Sequence, residues 1–292
     1  MDTTLIVTRF LFGALALVMF GLGLSLSLED FRRLFKHPKA VTIALVLQVI
    51  GLPLACYAII VGFGLSPVFA IGLMLLAASP GGISANLFSH LFGGNVAMNI
   101  SLTAVNTLLS IVTLPLIANW AIGHFAQGGQ VVPLQTRKLM EVIAIVLVPV
   151  ALGMFVASRR PGFAARMEKP TKIFSGVVLA VVTVLAIANE WKTMADTFAQ
   201  IGIPVLLFNL LSLLAGYYLS RAAGLDKPLA TAISYEIGIH NSTLAIFIAV
   251  SVLGSFPLAL PAAIYSVVMY ITAPLFGWLL LRRGQPAAVP AP

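Results

Sequence analysis

The stretch AASPGGISANLFSHLFGGNVAMNISLT, residues 77–103, decides how this chain folds. Long apolar runs flank it, yet it carries Pro80, Gly81, Gly82, Ser84, Asn86, Ser89, His90, Asn95, Asn99, Ser101 and Thr103. A helix facing lipid cannot present that much polarity or open its backbone. Each unpaired backbone group in hydrocarbon costs several kcal/mol, so an interrupted segment survives only against protein or a wet cavity. A second polar stretch, SYEIGIHNSTLA, occupies residues 234–245 and holds Glu236, His240 and Asn241. The two predict a polytopic membrane protein whose polar centre is assembled from distant segments.

Composition supports that class. Of the 292 residues 60% are apolar and 9% charged, and the mean hydropathy is +1.05. A soluble domain has about 25% charged residues. The length accommodates roughly nine crossings of about 20 residues with short connections, and leaves no room for a separate aqueous domain. The formal charge of +8 lies mostly between apolar runs, so it points to membrane topology and not to nucleic acid. The single cysteine, Cys56, sits in an apolar run as a small packed residue. The N-terminal segment, with Arg9 and no clear small-residue cleavage site, reads as a retained span.

Spans are expected at 5–27, 40–62, 66–91, 95–120, 138–157, 172–190, 200–220, 228–253 and 258–281, with a disordered tail at 284–292. Nine crossings place 13 of the 17 lysines and arginines on one side. These are Arg32, Arg33, Lys36 and Lys39; Arg159, Arg160, Arg166, Lys169 and Lys172; Arg221 and Lys227; and Arg282 and Arg283. Arg9, Arg137, Lys138 and Lys192 fall on the other. The positive-inside rule then puts the C-terminus in the cytoplasm and the N-terminus outside. Trp120, Trp191 and Trp278 fall near span ends, as an aromatic belt requires. Spans one to four (1–137) and six to nine (172–283) align as two blocks, each with its polar member third; the fifth span and a cytoplasmic linker (138–171) separate them and invert the second.

Glu236 stands alone as an acidic residue near the middle of a span. A carboxylate there is costly and faces an ion, a cavity or another polar group; the bland alternative is a protonated glutamate in a structural hydrogen bond. Asn86, Asn99 and Thr103 supply neutral oxygens, and the last two share a helix face at a spacing of four. One carboxylate with neutral oxygens suits a monovalent cation that must leave again, whereas several carboxylates would suit a divalent one. Interhelical bonding is the plain reading of the same residues. Asn106 and Ser110 extend that face. Gln48 reads equally as packing glue or as a site residue. His240, four residues beyond Glu236, is expected on the same helical face, where it could pair with the glutamate. Gly238 is either a close-packing point or a place where the helix opens. His90 reads as an interface residue near a cytoplasmic end. No phosphate cradle or nucleophile–base pair is recognisable; an intramembrane protease is the enzymatic alternative.

The ordered set MFGLGLSLSLEDF (19–31), FKHPKA (35–40), ASPGGISANLF (78–88), GNVAMNISLT (94–103) and EIGIHNSTLA (236–245) resembles the bile acid:sodium symporter family, from about residue 11 to residue 281. The resemblance implies an all-α membrane fold of nine transmembrane helices with inverted repeats. It also implies a panel domain and a core domain, the core holding two discontinuous helices that cross. It implies a sodium site from Asn86, Asn99, Thr103 and Glu236, with Ala85 where the family has serine and Asn99 where it has another serine. A second sodium site would draw on Gln48, the carbonyls of Ile237 and Ile239, and His240 in place of a glutamine; a neutral imidazole is a poorer sodium ligand than an amide oxygen. The implied activity is sodium-coupled uptake of an organic anion, bile acid-like or a small carboxylate such as pantoate, by an integral protein of a bacterial inner membrane. The partners expected are the anion, sodium and lipids, with no nucleic acid and no obligate protein partner. Proton coupling, or a non-transporting receptor or scaffold, are the alternatives.

Overall fold

The computed structural model describes residues 3–126, 136–189 and 194–281. Trp191, Lys192, Arg282, Arg283 and the 284–292 tail lie outside the described residues, as do the side chains of Arg137 and Lys138. Among the described residues the regular elements are helices, apart from one isolated antiparallel bridge between Gly81 and His240.

Helix α1 (Thr3–Leu24) turns by 69° into the short α2 (Leu28–Leu34). The start of α2 is fixed by Asp30, whose Oδ2 accepts from Ser27 N at 2.8 Å and Ser27 Oγ at 2.7 Å. Helices α3 (Pro38–Val46) and α4 (Leu52–Phe63) form one rod through a π turn at Leu47–Gly51. Pro53 explains the turn: its ring has no N–H to donate and clashes with the carbonyl four residues back, and the wider turn relieves the clash. Helices α5 (Pro67–Ala78) and α6 (Ile83–Leu91) flank the first polar break, and α7 (Val96–Phe125) follows. Then come α8 (Thr136–Arg159), α9 (Pro161–Asn189) and α10 (Met194–Ala222). Helices α11 (Lys227–Gly238) and α12 (Ser242–Phe247, continued by a π turn at Ile248–Val252) flank the second break. A short 3-10 turn leads into α13 (Leu260–Phe276), which a π turn at Gly277–Leu281 extends.

Among the described residues six rods are long and apolar enough to cross a membrane: Pro38–Phe63, Val96–Phe125, Met140–Arg159, Pro161–Ala188, Asp196–Ala222 and Pro257–Leu279; counting the bent pair of α1 and α2 makes seven. Their outer faces expose large apolar side chains such as Leu54, Leu116, Ile203 and Ile271, which only lipid accommodates at this density. The protein is an all-α polytopic membrane protein.

The segment 158–171, expected to belong to a linker, is helical through most of its length. Only Arg160 separates α8 from α9, and the helix runs on from Pro161. Proline is preorganised for the first helical position, and the i,i+4 pair of Glu168 and Lys172, 2.7 Å apart, supports the polar first turns.

Packing divides the helices into two groups. α1 lies along α8 and α9. Its approach to α8 is backbone-close: a Cβ on Gly153 would fall 2.8 Å from the Gly23 backbone. The remaining rods gather around α11, which packs on α10, α7 and α6. The groups meet where α9 touches α12 and α13, and where α2 lies on α7.

Candidate functional site

Both breaks have local causes, and each satisfies the other. Pro80 disfavours the helical region at the preceding residue, and Ser79 leaves the helix with φ −72° and ψ 140°. No proline lies at the second break. There Asn241 N, which would bond to Ile237 O in a continuous helix, donates instead to Pro80 O at 2.9 Å. Gly82 N donates to Ile239 O at 3.3 Å. The helix restarts because Asn241 Oδ1 accepts from Leu244 N at 3.0 Å. Two interrupted helices thus share one short piece of antiparallel backbone, with the N-termini of α6 and α12 on the wall of one cavity of about 40 Å³.

Glu236 sits beside this junction, fully buried. Its Oε2 accepts from Thr103 Oγ1 at 2.6 Å and Asn99 Nδ2 at 3.2 Å, and its Oε1 from Asn106 Nδ2 at 2.9 Å. The three donors occupy positions i, i+4 and i+7 of α7 and form one helical stripe. Asn99 Nδ2 also donates to Ala232 O at 2.9 Å, which ties α7 to α11. From the opposite side the carboxylate rests on the first break: a Cβ on Gly81 would fall 2.5 Å from Oε1 and 2.6 Å from Cδ. No lysine or arginine pairs with Glu236 among the described residues. Two amide oxygens of the stripe, Asn99 Oδ1 and Asn106 Oδ1, are buried without a hydrogen-bond partner. A buried acceptor left unpaired costs about 1–3 kcal/mol. One carboxylate with unpaired neutral oxygens beside it fits a hard monovalent cation.

The other residues singled out in the sequence divide around this centre. Gln48, carried by the π turn, donates through Nε2 to Ala77 O at 3.3 Å and Ser79 O at 3.1 Å, capping the end of α5. His240 does not share a helical face with Glu236, because α11 ends at Gly238 and His240 lies in the break. Its Nδ1 is 3.0 Å from Ser79 O, and its ring stacks on Phe208 at 5.5 Å. Gln48 Oε1 and His240 Nε2 are buried without partners. Gly238 is a packing point against Leu213, and its carbonyl accepts from Asn209 at 3.0 Å and Tyr265 at 2.9 Å. Asn86 is buried with Oδ1 unpaired. It lines a separate cavity of about 220 Å³ with Ser25, His90, Glu168 and Lys172. Cys56 is packed in the apolar core.

Asn106, which the sequence presents as an extension of the Asn99 and Thr103 face, is part of the site itself. The signal was present: Asn99, Thr103 and Asn106 are three polar residues at helical spacing, on one face of α7.

Comparison with known proteins identifies the family of the chain. Residues 13–197 match the model of the Sodium Bile acid symporter family. The chain is 28% identical over 274 residues to the probable sodium/metabolite cotransporter BASS2, chloroplastic, of Oryza sativa subsp. japonica, covering 94% of this chain and 64% of the relative. It is 28% identical over 254 residues to the uncharacterized sodium-dependent transporter YocS of Bacillus subtilis, covering 87% and 77%. It is 28% identical over 228 residues to the P3 protein of Homo sapiens, covering 77% and 47%. The chain therefore spans less than two thirds of the length of the rice and human relatives. With a family match across well over half of its residues, the chain belongs to the sodium bile acid symporter family, a family of transporters and not of enzymes.

Proposed function

We propose that this protein is a sodium-coupled symporter that carries a small or amphipathic organic anion into the cytoplasm by alternating access. The observation that carries the reading is the buried Glu236 carboxylate, held by neutral donors, with two unpaired amide oxygens beside it and no cationic side chain paired with it among the described residues. A sodium ion would be held by Glu236, Thr103, Asn99 and Asn106; Asn86, which lines a separate cavity, would join them only after a movement of α6. It would supply the missing positive charge and fix the two breaks to α7. A second sodium position from Gln48, His240 and the carbonyls of Ile237 and Ile239 has weaker support. Gln48 and His240 each turn a nitrogen to Ser79 O, and Ile239 O already accepts from Gly82 N.

The anion's place is at the N-termini of α6 and α12, whose backbone N–H groups and dipoles favour negative charge. The cavity there, about 40 Å³, is far below the roughly 300 Å³ of a small-molecule site. Admitting a substrate requires α1, α8 and α9, the panel, to move against the remaining rods, the core. Nine crossings result when α1 and each interrupted pair count as one span apiece. The charge distribution then supports an N-terminus outside and a cytoplasmic C-terminus in a bacterial inner membrane, with inverted repeats on either side of α8.

Coupling more sodium charge than anion charge would draw on the membrane voltage, about 2.3 kcal/mol per net charge at 100 mV. Proteoliposome uptake of pantoate and taurocholate under an imposed sodium gradient tests the reading. Uptake that requires sodium is expected. Equal uptake with sodium or choline at fixed pH would reject sodium coupling, and uptake driven by a pH step alone would favour proton coupling.

A further inference from the structure

Helix α1 turns into α2 at residues 25–27, and α8 turns into α9 at Arg160. Between these two turns lies a crevice of about 500 Å³. Its walls are mostly apolar: Leu24, Leu26 and Leu28 come from the elbow, Met154 and Phe155 from the end of α8, and Ala164 from α9. The polar side chains on the walls already have partners. Ser25 Oγ donates to Leu22 O at 2.7 Å, and Ser158 Oγ to Phe155 O at 2.8 Å. Asp30 accepts from Ser27 N and Oγ, and Arg33 Nη1 donates to its Oδ1 at 2.7 Å. Nothing on the walls is left over for a polar solute, so the occupant must be apolar where it touches them.

Two features identify that occupant. The first is continuity with the lipid-facing surface. Val148, Leu152 and Phe155 follow one another at i, i+4 and i+7 on α8, and each is more than half exposed. Val150 and Gly153 lie on the other side of the helix, against α1. The exposed stripe leads into the crevice at Phe155, and Leu28, 71% exposed, meets it from the elbow. The second feature is charge at the mouth. The Arg159 guanidinium stands 5.3 Å from the centroid of the Phe155 ring, and Arg33 is held on Asp30. Cations from α8 and α2 therefore stand beside two wall residues. Neither Arg159 nor Arg160 pairs with a carboxylate among the described residues. A planar guanidinium matches a phosphate group with two parallel hydrogen bonds.

We propose that this crevice is a binding site for an anionic phospholipid from the leaflet at this end of the molecule. One acyl chain lies along Phe155, Met154 and Leu28, and the phosphate is held by Arg159 with Arg33 at its other side. A zwitterionic lipid covers the same apolar walls but brings a cation of its own toward the arginines. The inference requires only that the chain spans a membrane. It also places the lipid where the two helix groups join, since α1 packs with α8 and α9 while α2 lies on α7.

The test is native mass spectrometry of the purified full chain, titrated with phosphatidylglycerol and with phosphatidylcholine of the same acyl chains. Tighter binding of phosphatidylglycerol is expected. Arg159→Gln, at an exposed helix end, should weaken it about tenfold, the loss of one charge-assisted hydrogen bond, and leave phosphatidylcholine unchanged. Adding Arg33→Gln should remove the preference. Arg166→Gln with Lys169→Gln removes two exposed cations of α9 that do not line the crevice, and should change neither lipid. An unshifted unfolding temperature in detergent reports that each variant folds. Because Arg33 also pairs with Asp30, Arg159→Gln alone decides if the double variant unfolds. Equal binding of the two lipids by the parent, or a preference undiminished in Arg159→Gln, overturns the proposal. So does an equal loss in the α9 pair, which would mark diffuse surface charge, or equal competition by a short-chain phosphatidylglycerol, which would leave the crevice unused. Run in choline as well as in sodium, the measurement stands apart from the transport reading, and its failure leaves that reading untouched.

Discussion

Glu236 is a buried carboxylate whose neighbours are all neutral donors, and the account turns on what that arrangement leaves over. Thr103, Asn99 and Asn106 turn donor atoms to it, while the amide oxygens of both asparagines remain unpaired. Asn106→Ala removes the donor to Oε1 and one of those oxygens; sodium affinity measured by calorimetry should fall about tenfold, the size of one hydrogen bond to a charged group. Gly81→Ala acts from the other side. Its methyl group would lie 2.5 Å from Oε1 and 2.7 Å from the Glu236 carbonyl, and overpacking of this kind costs about 1–3 kcal/mol. The variant should unfold at a lower temperature in detergent and lose sodium-induced thermal stabilisation. At this scale much was legible. A glutamate in an apolar run and three polar residues at helical spacing are local patterns. The joining of Glu236 to Asn106, 130 residues apart, is tertiary, so the sequence carried the stripe without its partner.

The two breaks differ in how openly the sequence declares them. Pro80 with two glycines is a local signal, and the interruption of α5 and α6 follows from it. At the second break no residue forbids a helix. Polarity marked the region, but its interruption depends on Pro80 O and Gly82 N on the other strand. The same dependence misled the reading of His240: a spacing of four places two residues on one face only while the helix lasts, and α11 ends first. His240 instead joins the breaks through Ser79 O and leans on Phe208. His240→Ala should therefore destabilise the protein by roughly 1–2 kcal/mol in thermal unfolding, from one hydrogen bond and one ring contact. The sodium dependence of uptake should be retained. A changed sodium stoichiometry with unchanged stability would return His240 to the ion site. The helix within 158–171 was not legible for a related reason. Its charges and prolines suggest a turn, yet Pro161 opens a helix at its first position.

Across the whole molecule, composition and the sidedness of charge were enough for a polytopic helical membrane protein, because the bilayer constrains every span in the same way. How the spans group was not legible, since contact between the α1–α8–α9 group and the rest depends on pairs far apart in sequence. One such pair is Thr183 Oγ1 with Ser266 Oγ, 2.8 Å apart and buried between α9 and α13. If transport moves the panel against the core, this contact must open. The double variant Thr183→Cys/Ser266→Cys should lose uptake on oxidation and recover it on reduction, while binding sodium in both states. The single native cysteine, Cys56, is buried and leaves the readout clean. Undiminished uptake by the oxidised, cross-linked protein would exclude relative movement of these two helices.

The central claim is that the Glu236 cluster holds the driving cation, and equilibrium binding of ²²Na⁺ to the purified protein tests it most directly. The account predicts saturable binding to the parent that sodium but not choline displaces. It predicts loss of that binding in Glu236→Gln, which keeps the shape of the side chain and removes its charge. Glu236→Gln protein that folds and binds ²²Na⁺ with the parent's affinity would contradict it.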